Sequence, residues 1–314
     1  MNMNYYNLIT AKELQIKEFP PINWIVDDIL PEGLTILAGK PKLGKSWAAL
    51  DLGCAVSEGS QFLGNICEKG DVIYLALEDN ERRLKERLQL IRPEGVWADN
   101  FHLKTEWPIL DEKGLNNLEN LINQYENTRL IIIDTLARVK PLSNKGVDYA
   151  DDYSIMAEIQ SLASRHRIAI LLIHHVRKAK SDSGEPFDEV AGSTALTGAA
   201  DATLVLTKNS DGAILYGRGR DLKEFTHAVE FDGERCRWKL LGDPDTVFLS
   251  DTRRLILNAL EDGKATIKNI SIHANISYDN CKKTLKRMYD AGQVVKINHQ
   301  PLRYGLKLDP LEKT

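Results

Sequence analysis

Cysteine is scarce in this chain. Its 314 residues hold four, Cys54, Cys67, Cys236 and Cys281, with no C-x-x-C pair and no histidine at metal-ligand spacing, so neither a disulfide framework nor a zinc site is indicated. The four read as packing residues. Long apolar runs are missing too. Runs such as Leu130 to Ile133 and Ile168 to Ile173 fall far short of the ~20 residues a membrane-crossing helix needs, and Met1 to Thr10 has no basic segment followed by an apolar core. A cytoplasmic protein without a membrane partner is expected. There is no internal repeat and no low-complexity tract, and ordinary fractions of apolar (43%) and charged (27%) residues set aside the disordered and fibrous classes. The net charge of −4 argues against a uniformly basic nucleic-acid binder, but it is unevenly spread: from Asp251 to Thr314, 12 lysines and arginines face 7 acidic residues, a net of +5 that leaves −9 on the rest. A mildly basic tail on an acidic body is compatible with DNA contact.

What is present is more specific. Gly39-Lys40-Pro41-Lys42-Leu43-Gly44-Lys45-Ser46 is a complete G-x-x-x-x-G-K-[ST] phosphate loop. An apolar strand pattern, Leu34 to Ala38, runs into it and a helical pattern starting at Trp47 runs out. Gly39 and Gly44 are expected to let the backbone turn tightly and aim N–H groups inward, while the helix presents unpaired N–H groups and a positive dipole end. Residues 39–47 are therefore the expected ATP cradle, with Lys45 on the β- and γ-phosphates and Ser46 on Mg²⁺.

Strand and helix patterns alternate around that motif. Strands are predicted at Leu34 to Ala38, Asp71 to Leu77, Leu130 to Asp134, Ile168 to His174 and Ala202 to Thr207, with helices around Trp47 to Ser57, Asn80 to Ile91, Leu115 to Tyr125 and Tyr153 to His166. Continuous apolar strands imply burial on both faces, hence a mostly parallel sheet covered by helices. Shorter alternating segments, Ala213 to Tyr216, Ala228 to Phe231 and Arg237 to Leu241, are joined by Asp211-Gly212 and Asp232-Gly233 and read as an antiparallel extension. The expected organisation is a lead-in over 1–33, an α/β domain over 34–242, a linker at Gly242-Asp243-Pro244-Asp245, and a small module over 251–310. Helical spacing at Arg253 to Leu260, Ile267 to Ala274 and Tyr278 to Tyr289, followed by a hairpin turning at Gln300-Pro301, predicts a winged helix-turn-helix.

Further polar residues fall at predicted strand ends. Leu130-Ile131-Ile132-Ile133-Asp134 has the form of a Walker B strand whose Asp134 holds Mg²⁺ through water; the competing reading is a turn residue opening a loop. Glu78, after Val72 to Leu77, is the expected catalytic base, or else a cap residue, while Asp79 is expected to cap the following helix. His174 and His175 alternate sides, and His175 is favoured as the γ-phosphate sensor. Two polar loops follow, Lys140 to Asp152 with Lys140 and Lys145, and Val176 to Val190 with Lys178 and Lys180; both leave one sheet edge and suit phosphate contacts to single-stranded DNA, or are solvated surface loops. Gly217-Arg218-Gly219-Arg220 offers Arg218 and Arg220 as a finger into a neighbouring subunit's site, or as surface arginines on a hairpin.

Together these residues resemble the RecA-like ATPases of the RepA-type replicative helicase group, relatives of the DnaB-type hexameric helicases. The resemblance spans Trp24 to about Arg220 and rests on Trp24-Ile25-Val26-Asp27 before the phosphate loop, Tyr74-Leu75-Ala76-Leu77-Glu78-Asp79, Ile131-Ile132-Ile133-Asp134-Thr135-Leu136, Leu172-Ile173-His174-His175-Val176-Arg177-Lys178 and Ala191-Gly192-Ser193-Thr194-Ala195-Leu196. It implies a RecA-like P-loop NTPase fold and an ATP- and Mg²⁺-dependent motor on single-stranded DNA. The motor is expected to be a homo-oligomeric, hexameric ring with Lys45, Ser46, Glu78, Asp134 and His175 in its active site and Arg218 and Arg220 acting across the ring interface. The tail departs from the minimal family pattern and keeps two other readings open: a nucleotide-switched regulator that binds duplex DNA through Tyr278 to Tyr289, where Lys282, Lys283, Lys286 and Arg287 cluster, and a recombinase-like filament.

Overall fold

The computed structural model describes residues 8–140, 149–176, 185–190, 194–261, 263, 265–290, 292–297 and 301–306. Lys145, Lys178, Lys180, the 191–193 motif and Gln300 lie outside them. The chain opens with α1 (Ala11–Ile16), β1 (Trp24–Val26) and β2 (Leu30–Pro31), then passes through β3 (Gly33–Gly39), α2 (Lys45–Glu58), β4 (Gln61–Phe62), β5 (Asn65–Ile66), β6 (Asp71–Ala76), α3 (Glu81–Ile91) and β7 (Phe101–Lys104). Next come α4 (Glu112–Gln124), β8 (Thr128–Asp134), α5 (Leu136–Val139), α6 (Tyr149–His166), β9 (Ala169–His175), α7 (Pro186–Val190), α8 (Thr194–Ala199) and β10 (Ala202–Lys208). β11 (Ala213–Gly219), β12 (Phe225–Asp232) and β13 (Arg237–Gly242) follow, then α9 (Pro244–Glu261), β14 (Ala265–Thr266), α10 (Ile267–His273), α11 (Tyr278–Asp290), β15 (Val294–Ile297) and β16 (Arg303–Leu306).

One nine-stranded sheet organises the body, in the order β13-β12-β11-β10-β3-β9-β8-β6-β7. Its members from β10 to β7 are parallel, and β11 to β13 continue it antiparallel. Period-two alternation divides the apolar strands between two cores. Leu130 and Ile132 pack with α2 and α3 residues on one face, and Ile131 and Ile133 pack with α4 and α6 residues on the other, all four fully buried. That double burial explains why these strands read as unbroken apolar runs. Trp24, Ile25 and Val26 pack against the first core, as expected of the lead-in.

Several expectations need correction. A sixth parallel strand, β7, pairs with β6 at the sheet edge. Asn80, not Asp79, caps α3, its side chain accepting from Arg83 N at 2.9 Å; the Asp79 carboxylate is taken by ion pairs to Arg83 at 3.0 Å and to Arg87. The 176–190 segment is not loop throughout, because Phe187 and Val190 of α7 are buried in the second core. Cys54, Cys67 and Cys281 are buried, whereas Cys236 is only partly covered, at the β12–β13 turn with φ 51°. α9 begins at Pro244, inside the expected linker, because proline suits a first helical position where no N–H is needed.

Beyond β13, α9, α10 and α11 enclose their own apolar core of Ile256, Ile270, Leu285, Met288 and Tyr304 beside a small antiparallel sheet ordered β14-β16-β15. Among the described residues no helix is long and apolar enough to cross a membrane.

Candidate active site

Parallel strands place their carboxyl ends along one edge, and the register makes that edge a meeting point. Gly39 lies opposite His175, and Ala76 lies opposite Asp134. The phosphate loop leaves β3 here. Gly44 takes φ +91° as the N-cap of α2, a left-handed conformation that suits glycine, and provides no side-chain cap. The first N–H groups of α2 thus lack a side-chain acceptor and can serve an anion. Gly39 is needed for another reason than turning: a Cβ there would lie 2.6 Å from the carbonyl oxygen of Leu206 in β10. Lys42 takes the loop's other left-handed position, φ 64°.

Lys45 is 3% exposed. Its Nζ donates to Gly39 O at 2.7 Å and Lys40 O at 2.9 Å, and lies 3.0 Å from His175 Nδ1. With the ammonium donating to Nδ1, the ring proton sits on Nε2, which is 3.9 Å from Glu78 Oε2. Glu78 also accepts from Thr135 Oγ1 at 3.2 Å and lies 3.9 Å from Arg138 Nε. The buried Asp134 accepts from Tyr74 OH at 2.8 Å. Burial pushes the Asp134 carboxyl up, while Ser46 and Tyr74 favour its ionised form.

Burial also holds the Lys45 ammonium down to about 8 from an ordinary 10.5, against the pull of Asp134 and Glu78. Between about 8 and 10.5 the unfolded chain therefore binds more protons at this position than the folded one, and the contribution of Lys45 to stability rises with pH across that window and is least favourable below it. The melting temperature of the wild type minus that of Lys45→Met should climb from pH 8 to pH 10.5. A flat difference would contradict a desolvated cation.

The donor set fits Mg²⁺. Asp134 Oδ1 is buried with no hydrogen-bond partner, and the Ser46 hydroxyl lies beside that carboxylate. Among the described residues no three His, Cys, Asp or Glu side chains form a metal cage. Mg²⁺ asks for none, since it keeps several waters and takes one or two protein oxygens plus phosphate.

The structure thus brings Lys45, Ser46, Glu78, Asp134 and His175 to one edge. Arg218 and Arg220 are not there. Arg218 lies at the end of β11 and Arg220 just beyond it; Arg218 is opposite Thr203 and Gly219 opposite Ala202, and Ala202 pairs with Thr35 near the start of β3, so they sit at the other edge of the sheet. The Arg218 guanidinium lies 3.9 Å over the Phe187 ring, and Arg220 pairs with Asp201 at 3.0 Å. Sequence reasoning missed Tyr74, Thr135 and Arg138. Only Tyr74 gave a signal, a tyrosine inside a strand buried on both faces, whose hydroxyl must find a partner.

Comparison with known proteins agrees with this architecture. No curated protein matches the chain. Among solved structures, one described as an ATPase domain superposes with a TM-score of 0.53 at 14% identity, covering 67% of this chain and 85% of that one. A DnaB-like replicative helicase, studied with its primase interactions, superposes with a TM-score of 0.53 at 13% identity over 66% of this chain. The chain spans 57% of that helicase. At such identities the likeness is one of fold, that of the RecA-like P-loop NTPases. The family model described as an AAA domain matches residues 7–181, more than half of the sequence, and the chain therefore belongs to the AAA domain family.

Proposed function

We propose that this chain is an ATP-driven motor on single-stranded DNA, working as a hexameric ring of identical copies in the manner of RepA-type helicases. The observation that carries the reading is the division of the site: Lys45, Ser46, Glu78, Asp134 and His175 share one sheet edge, while Arg218 and Arg220 stand at the opposite one. A finger placed there cannot serve its own protomer and suits the site of a neighbour.

In this reading Lys45 exchanges the Gly39 and Lys40 carbonyls for phosphate oxygens. Bound Mg²⁺ supplies neutralisation of charge on the β- and γ-phosphates. Ser46 and Asp134 hold the ion's shell, and Tyr74 fixes the carboxylate. Glu78 orients the attacking water and accepts its proton. When Lys45 turns to phosphate, His175 Nδ1 loses its partner, so the ring is free to report the γ-phosphate to the segment after β9. The segments that follow β8 and β9, with Lys140, Lys145, Lys178 and Lys180, are the proposed strand contacts.

Two measurements test this. ATP turnover should rise on addition of single-stranded DNA, and a non-hydrolysable nucleotide should shift the protein to a ring-sized species; no stimulation and no assembly would sink the motor. Mixing Lys45→Ala with Arg218→Ala/Arg220→Ala should restore turnover that neither variant has alone, because mixed interfaces combine an intact loop with an intact finger. Absence of rescue would place the arginines outside the site.

A second reading has its own support. α11 exposes Lys282, Lys283, Lys286 and Arg287 along one face, as a winged-helix recognition element needs for duplex DNA. Duplex binding lost in Lys282→Glu/Lys283→Glu, in a protein without strand displacement, would favour a nucleotide-switched regulator.

A further inference from the structure

The antiparallel end of the sheet reaches back to the phosphate loop. β13 is four strands from β3, and at about 4.8 Å per strand a flat sheet would hold it roughly 19 Å away. Yet Trp238 of β13 donates its indole N–H to Gly44 O at 3.2 Å. The sheet therefore curls so that its outer hairpin lies over α2. Gly44 O already accepts the first helical bond from Ala48 N, at 3.0 Å, so the indole adds a second donor to the residue that starts the helix. The ring also packs on the loop itself: a Cβ at Gly44 would be 3.2 Å from Trp238 Nε1 and 3.3 Å from Cζ2. Phe231 meets the indole edge-on at 5.3 Å between centroids, fixing its plane.

The neighbouring residue ties the same hairpin to the same helix. Arg237 Nε lies 2.8 Å from Asp51 Oδ1, and Asp51 is shared with Arg92 of the α3 end at 3.1 Å. The Asp51 side chain is only 1% exposed, so this three-way pair fixes α2 from inside, two turns beyond the loop.

We propose that Trp238 is a positioning residue for the nucleoside triphosphate: the β12–β13 hairpin clamps Gly44 through the indole, braced by Arg237 on Asp51, so that the backbone of Lys45 and Ser46, with the first N–H groups of α2, is set before the phosphates arrive. A loop held in its bound form loses less freedom on binding, and affinity gains accordingly. The role goes through Gly44, and Trp238 itself touches no phosphate. This inference rests on the reading of the loop as a triphosphate site.

Trp238→Phe keeps a buried ring and removes the donor; Arg237→Met removes the brace. The measurements are KM and kcat for ATP, calorimetric affinity for Mg–ADP, and the melting temperature with and without Mg–ADP, alongside Lys45→Ala. Loss of one neutral hydrogen bond is worth about two- to twelvefold in affinity. Trp238→Phe should therefore raise KM and weaken Mg–ADP by that factor with kcat within about twofold, and shrink the nucleotide-induced rise in melting temperature. Arg237→Met should move the same readouts in the same direction, and it carries the test if Trp238→Phe does not fold. A melting temperature lowered equally with and without nucleotide, at unchanged KM, would make Trp238 a core residue only and overturn the proposal while the loop reading stands. Lys45→Ala binding nucleotide as well as the wild type would instead overturn the loop reading beneath it.

Discussion

Lys45→Ala is expected to lower ATP turnover on the order of 10²- to 10³-fold, the scale seen when one preorganised donor is taken from a transition-state site. Lys45 suits this scale because it is already desolvated and has three acceptors around one nitrogen, Gly39 O, Lys40 O and His175 Nδ1. The ammonium is buried at the floor of the loop, where a low local dielectric strengthens its field. Alanine leaves Gly39 O with only the Val176 N–H, at 3.4 Å, and the phosphates without their buried cation; Lys40 and Lys42, both exposed, do not replace it. Nucleotide affinity should fall together with turnover. Turnover within tenfold of the wild type would mean that phosphate is held elsewhere.

Glu78→Gln separates binding from chemistry. Its side chain is 45% exposed, so the substitution should leave the melting temperature unchanged, and an amide oxygen can still accept from Thr135. What disappears is a group able to take a proton from water, and kcat should fall about 10²- to 10⁴-fold with KM little changed. Asp79 cannot stand in, because its carboxylate is committed to Arg83 and Arg87. A variant with undiminished kcat would move the base elsewhere and reduce Glu78 to a partner of Thr135 and Arg138.

The features legible in the sequence are those whose cause is local. The phosphate loop announces itself because its glycines, lysine and serine occupy consecutive positions. β3, β6, β8, β9 and β10 are readable because double burial forces unbroken apolar runs, and Glu78, Asp134 and His175 follow from them as residues at or just beyond strand ends. β7 was opaque: Phe101-His102-Leu103-Lys104 is short, half-covered and at an edge, so no apolar run forms. The choice between Asp79 and Asn80 as cap depended on where Arg83 and Arg87 reach, which only the folded helix decides. Least visible was the contact of Trp238 with Gly44, 194 residues apart in the chain. It follows from the curl of the whole sheet, and no spacing in the sequence encodes that.

The pairing order of the sheet also sets a timetable. β3 carries the phosphate loop, yet its hydrogen-bonded neighbours are β9 and β10, which a ribosome delivers only after Ala169 and Ala202 have been added. Until then the nascent strand, with Leu34 and Ile36 destined for full burial, has no partner to close upon. Non-local parallel pairing of this kind is slow and leaves unpaired edges open to aggregation. Emerging before both of its partner strands, the loop becomes competent only once they have arrived.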